Sequence, residues 1–148
     1  MAATETSRAP PATVDRQLPA SPESVTDARH EAADYLERLG EPSYEIELAV
    51  TEAVKNAVEH AFPGDRSGSV WLRIETLVPD TLVVSVTDDG IGITPDLGSD
   101  GLRSDGLGIG LSLIGRFSHD FDICDAEPHG TAVTMRFSLG GNAVASKN

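Results

Sequence analysis

Glu52, Asn56 and His60 stand at four-residue intervals in Thr51-Glu52-Ala53-Val54-Lys55-Asn56-Ala57-Val58-Glu59-His60. A carboxylate such as Glu52 can take a proton from a hydroxyl or water that attacks a phosphate. An amide oxygen such as that of Asn56 suits Mg²⁺, which keeps several waters and shares its remaining positions with substrate phosphates. His60 could donate to a phosphate oxygen. Downstream, Asp88-Asp89-Gly90-Ile91-Gly92 places an acid at the end of an apolar run. Asp88 can accept a hydrogen bond from an exocyclic amine such as that of adenine, and Gly90 and Gly92 let the backbone turn sharply beside a flat ring. Gly106, Gly108 and Gly110 then alternate with Leu107, Ile109 and Leu111 ahead of a helical pattern. Backbone N–H groups at a helix start bind anions, and glycine gives them close access. Thr131, after Gly130, could add a hydroxyl near Asp88. The set reads as a Mg-ATP site of a non-P-loop kind.

Each piece alone has a plainer explanation. Asn56 could hydrogen-bond locally, Glu52 is a strong helix former, His60 a helix-end cap, Asp88-x-Gly90 a surface turn and Thr131 a strand start. No Gly-Lys-Ser or Gly-Lys-Thr follows the second glycine run, which excludes a Walker loop. No strand directly precedes that run, which argues against a dinucleotide fold. The order and spacing of the whole set carry the reading.

Those residues need elements to hold them. Arg16-Gln17-Leu18 fits a short edge strand. Ser21-Pro22 reads as a capped helix start, and Val25, Ala28, Ala32, Leu36 and Leu39 continue at helical spacing until Gly40. Ser43 caps a second helix whose apolar stripe runs Ile46, Ala49, Val50, Ala53, Val54, Ala57, Val58, Ala61. At about 100° per residue, a step of four advances only about 40°, so Glu52, Asn56 and His60 follow one border of that stripe. Val70, Leu72 and Ile74 alternate with Trp71, Arg73 and Glu75, and Leu82, Val84 and Val86 repeat the pattern after a turn at Val78-Pro79-Asp80. A loop from Ile93 to Asp105, a short helix from Ile109 to Phe117 and two strands, 121–125 and 132–137, complete the chain. This order predicts an α+β two-layer sandwich, with helices on one face of a mixed, mostly antiparallel sheet.

The chain has 148 residues and a net charge of −13. That length suits one domain with its own core. We expect that domain at 16–139, between disordered tails at 1–15 and 140–148. The acidic surface disfavours direct nucleic-acid binding, which needs Lys and Arg against phosphates, and suits a basic protein partner. There is no run that could cross a membrane, no signal-peptide pattern, and a single cysteine, Cys124. A cytoplasmic location is expected.

With these motifs assembled, the chain closely resembles the ATP-binding domain of the gyrase, heat-shock chaperone, histidine kinase and MutL (GHKL) superfamily. Glu52-x-x-x-Asn56-x-x-x-His60 looks like its N box, Asp88-x-Gly90-x-Gly92 and Gly106-x-Gly108-x-Gly110-Leu111 like its glycine boxes, and Gly130-Thr131 like its last motif. The resemblance spans about Gln17 to Leu139. Within that superfamily the chain resembles bacterial anti-sigma-factor serine/threonine kinases of the sporulation and stress-response type. The resemblance implies a Bergerat fold, ATP with Mg²⁺, a homodimer, a sequestered sigma factor, and an anti-anti-sigma (STAS-type) protein phosphorylated on serine or threonine. It implies Glu52 as base, Asn56 as Mg²⁺ ligand, Asp88 as adenine reader and Arg103 as a lid arginine near the γ-phosphate. The stretch Ile93–Asp105 departs from relatives by lacking an aromatic-threonine segment. That departure motivates a second reading, a nucleotide-gated binding module without useful phosphotransfer. A detached histidine-kinase ATPase part ranks third, because no helical hairpin with a phosphoacceptor histidine precedes the domain; His30 lies in the first helix without a partner helix.

Overall fold

The computed structural model describes residues 11–60, 68–77, 80–90, 114–127 and 129–139. In chain order the elements are β1 (Val14–Pro19), α1 (Pro22–Leu39), α2 (Tyr44–His60), β2 (Ser69–Leu77), β3 (Thr81–Asp88), β4 (Asp120–Asp125) and β5 (Thr131–Ser138). The strands form one five-stranded sheet in the order β1-β2-β3-β5-β4. All four described pairings are antiparallel, so the mixed sheet expected from the sequence narrows to an antiparallel one.

Strand alternation decides which side of the sheet is covered. Val70, Leu72 and Ile74 of β2 and Leu82, Val84 and Val86 of β3 are all buried. They join Ala28, Ala32, Tyr35 and Leu36 of α1 and Ala49, Val50, Ala53 and Val54 of α2 in one core. Both helices therefore lie on the same face, as expected. Each large side chain removed from water contributes about 1.5–3 kcal/mol. Trp71, Arg73, Ser85, Thr134 and Arg136 occupy the opposite face, where Arg73 pairs with Asp15 and Arg136 with Asp120 and Asp122.

The helix ends follow local chemistry. Ser43 Oγ accepts the Ile46 N–H at 3.2 Å, and Glu45 and Glu47 occupy the first turn of α2, where the helix dipole favours acids. Gly40 ends α1 in the left-handed region, φ 84°, with Gly40 N–H on Glu37 O and Glu41 N–H on Leu36 O. This is the double bond pattern that a glycine terminus allows. At the start of α1 the expectation fails in one detail. Ser21 sits at the N-cap but makes no side-chain cap bond. Ser24 is buried instead and donates its hydroxyl to Pro19 O, tying α1 to the end of β1.

β1 begins at Val14, inside the segment expected as tail, and pairs along its length with β2 from Ile74 to Ser69. Arg16 of this edge strand forms an ion pair with Glu31 of α1. Of the short helix expected before β4, residues 114–117 are described and are helical; Ile114 is fully buried.

Candidate functional site

Glu52 and Asn56 lie one turn apart on α2 and are both half-buried. Their neighbours Ala53, Val54 and Ala57 are buried, while Lys55 is exposed. The two polar side chains thus occupy the border of the apolar stripe, as the spacing requires. Asn56 Nδ2 is the single buried side-chain nitrogen or oxygen among the described residues without a hydrogen-bond partner. A buried amide donor normally finds a partner, and leaving one unmade costs about 1–3 kcal/mol. A ligand oxygen arriving from outside the chain would supply it.

Asp88 closes β3 on the helix-covered face and is only 4 % exposed. Its Oδ1 accepts the Gly90 N–H at 2.9 Å and the Thr131 N–H at 3.3 Å. No described residue donates to Oδ2. Burial is the largest influence on this carboxyl and pushes its pKa above the ordinary 3.8, against the pull of the two backbone donors. A buried acid with one oxygen tied down and the other without a donor among the described residues is suited to reading a donor on a ligand.

The backbone around Asp88 is crowded. Gly130 has φ 112°, and a Cβ there would stand 1.9 Å from the Asp88 carbonyl oxygen. A side chain is therefore excluded at this position, which explains why glycine precedes Thr131. Ala126 N–H closes the β4–β5 turn on Gly130 O at 3.0 Å.

Two residues that sequence reasoning passed over help to build this corner. Asp89 turns away from Asp88 and accepts the Ser69 N–H on Oδ1 at 2.9 Å, fastening the strand end of β3 to the start of β2. His129 Nδ1 lies 3.1 Å from the Gly90 carbonyl. Both contacts join a side chain to the backbone of a remote segment, for which a single sequence carries no signal.

Gly90 is buried beside Asp88, and Thr131 is half-buried across from it. The structure therefore brings Asp88, Gly90 and Thr131 together and sets Glu52 and Asn56 on the helix packed over the same face. The His60 side chain lies outside the described residues, as do Gly92, Arg103, Gly106, Leu107, Gly108, Ile109, Gly110 and Leu111. Among the described residues no group of three or more His, Cys, Asp or Glu is placed to hold a metal ion. None of the described helices is long and apolar enough to cross a membrane.

Residues 18–137 match the family model described as histidine kinase-like ATPase domain. The chain belongs to that family. Among curated relatives, the serine-protein kinase RsbW of Listeria monocytogenes is 34% identical over 133 residues, covering 80% of this chain and 82% of that protein. Two solved structures are similar. The histidine kinase domain of a blue-light activated histidine kinase from Erythrobacter litoralis has 32% identity and a TM-score of 0.56, covering 68% of this chain and 46% of that one. The RsbU and RsbW domains of a Mycobacterium tuberculosis protein give a TM-score of 0.67 at 23% identity, covering 89% of this chain and 34% of that one. The latter shows the fold alone. This chain thus spans most of the Listeria relative but less than half of either solved chain.

The matching family is one of ATPase domains, whose ligand is ATP. The residues present fit Mg-ATP on their own chemistry. Mg²⁺ takes few protein ligands when phosphates and water complete its shell. One amide on α2, its oxygen able to join phosphates and water around the ion and its buried Nδ2 without a partner, fits that limited need.

Proposed function

We propose that this chain is an ATP-dependent serine/threonine protein kinase that acts as an anti-sigma factor and phosphorylates an anti-anti-sigma partner of STAS type. The observation that carries the reading is the pair formed by Asn56, with its buried unpartnered Nδ2, and Asp88, a buried carboxylate whose Oδ2 takes no donor from the described residues. The relative that covers most of its own length against this chain bears the name serine-protein kinase, which supports kinase activity over a mute binding domain.

In this reading Asp88 accepts the exocyclic amine of adenine on Oδ2 while Gly90 and Thr131 hold Oδ1. Asn56 contributes its amide oxygen to Mg²⁺ and its N–H₂ to a phosphate oxygen. Magnesium supplies charge neutralisation of the triphosphate when it is bound. Glu52, one turn before Asn56, accepts the proton of the attacking serine or threonine hydroxyl. Phosphoryl transfer needs mainly positioning and charge stabilisation, so a site made of one base, one amide and backbone donors suffices. The remaining assignments extend this site: His60 and Arg103 as phosphate contacts, Gly92 beside the base, and Gly106, Leu107, Gly108, Ile109, Gly110 and Leu111 as the phosphate loop.

The same reading makes the protein a cytoplasmic homodimer that touches neither membrane nor nucleic acid. Its net charge of −13 supports the last point and favours a basic surface on the sigma-factor partner.

Incubation of the protein with radiolabelled ATP, Mg²⁺ and a STAS-type protein from a neighbouring gene tests the proposal. Acid-stable label on a serine or threonine of that partner is the expected result. Tight nucleotide binding without label would favour the nucleotide-gated module, and acid-labile label on histidine would favour a histidine-kinase activity.

A further inference from the structure

His129 is exposed on the turn between β4 and β5, yet its imidazole reaches back to another segment. Nδ1 stands 3.1 Å from the carbonyl oxygen of Gly90. A carbonyl only accepts, so Nδ1 carries the proton in this contact. The N–H of the same Gly90 residue donates to Asp88 Oδ1 at 2.9 Å. Two residues beyond His129, the N–H of Thr131 donates to that same oxygen at 3.3 Å. Between them Gly130 lies against the Asp88 carbonyl, where no side chain fits. The contacts close a ring: Asp88 to Gly90, Gly90 to His129, then along the chain to Thr131 and back to Asp88.

We propose that His129 is a positioning residue for purine recognition. By holding the Gly90 carbonyl it keeps both backbone donors on Oδ1 of Asp88. The carboxylate then cannot rotate, and Oδ2 stays available to the exocyclic amine of an adenine-type base. This rests on the ATP-binding reading of Asp88. Without the imidazole the Gly90 residue loses one of its two tethers, the carboxylate gains rotational freedom, and discrimination between bases falls. Affinity for the phosphates, which are held elsewhere, does not change. A side chain that merely stabilised the turn would instead weaken every ligand alike through the fold.

Calorimetric titration of the full chain with Mg-ATP and with Mg-tripolyphosphate, for wild type, His129→Ala and His129→Asn, tests this. Asparagine places an N–H donor near the position of Nδ1. His129→Ala is expected to weaken Mg-ATP about three- to tenfold, the range of one hydrogen bond, and to leave tripolyphosphate within about twofold. His129→Asn restores Mg-ATP to within about twofold. In the ligand-free protein, amide exchange at Gly90 is expected to quicken at least about fivefold in His129→Ala, because the loop then opens more often. Unchanged ATP affinity in His129→Ala, or equal weakening of both ligands, would overturn the proposal. Should wild type bind ATP no better than tripolyphosphate, the base-reading role of Asp88 fails. The positioning role of His129 then falls with it, whatever the exchange rate at Gly90.

Discussion

Thr131 stands opposite Asp88 in the β3–β5 register and sends its backbone N–H to Oδ1 of that carboxylate at 3.3 Å. A strand pair thereby orients a side chain rather than only a backbone. Since the donor is a peptide group, the contact survives substitution of the Thr131 side chain, whereas it needs an acceptor oxygen on the side chain at position 88.

Asp88→Asn separates binding from stability. Asparagine keeps an oxygen for Gly90 and Thr131 but removes the buried charge whose desolvation raises the pKa. We expect the thermal midpoint at neutral pH to be no lower than wild type. ATP affinity should fall about ten- to a hundredfold, the range of a hydrogen bond to a charged group. Melting curves and nucleotide titration check both halves.

The pH dependence has a definite sign. The pKa of Asp88 is raised in the folded protein relative to 3.8. Its contribution to stability is therefore fully present below 3.8 and is lost as pH rises through the folded value, where the unfolded chain has already ionised. An NMR titration of the Asp88 carboxyl should show a midpoint above 3.8, and ATP affinity should decline on acidification through the same midpoint.

Asn56→Ala should stabilise the apo protein while impairing Mg-ATP binding. The substitution removes an unmade buried hydrogen bond and installs the best helix former in mid-helix, together about 1 kcal/mol or more. Chemical denaturation of the apo protein and magnesium-dependent ATP titration measure the two effects. A destabilised Asn56→Ala would mean that the side chain has a structural partner.

Glu52→Ala should retain ATP binding within about twofold and lower phosphotransfer by about a hundredfold or more, the typical contribution of a general base. Single-turnover transfer to the partner protein, measured beside nucleotide binding, distinguishes this from a folding defect.

Gly130→Ala should be among the most damaging single changes. The new Cβ would meet the Asp88 carbonyl at 1.9 Å with φ at 112°, a strain of at least about 2 kcal/mol. Urea denaturation is expected to show the loss, and ATP binding should weaken with it because Asp88 moves.

Local periodicity made much of this legible in advance. The α2 stripe placed Glu52 and Asn56 on a half-buried border, and the apolar run of β3 marked Asp88 as the acid at its end; the burial of that acid is seen only in the fold. β1 was only partly legible. Val14 and Asp15 follow a stretch of Ala, Thr and Pro, and their strand character depends on pairing with Ile74 and Arg73 far along the chain. The roles of Asp89, His129 and Ser24 were not legible at all, because each is decided by a distant carbonyl or amide. The extra order at β1 is consistent with burial of Leu18, which anchors the edge strand against α1.

Trp71, the one tryptophan of the chain, sits on the side of the sheet that the helices leave uncovered, directly across from Thr87 and one residue out of phase with Asp88. In the proposed reading, with the nucleotide held at Asp88, the β-sheet stands between this indole and the ligand. Emission from this indole should follow unfolding and the approach of another molecule to the open sheet surface, yet stay silent when ATP alone is added. That gives the protein a built-in optical probe for assembly, separate from any signal of catalysis.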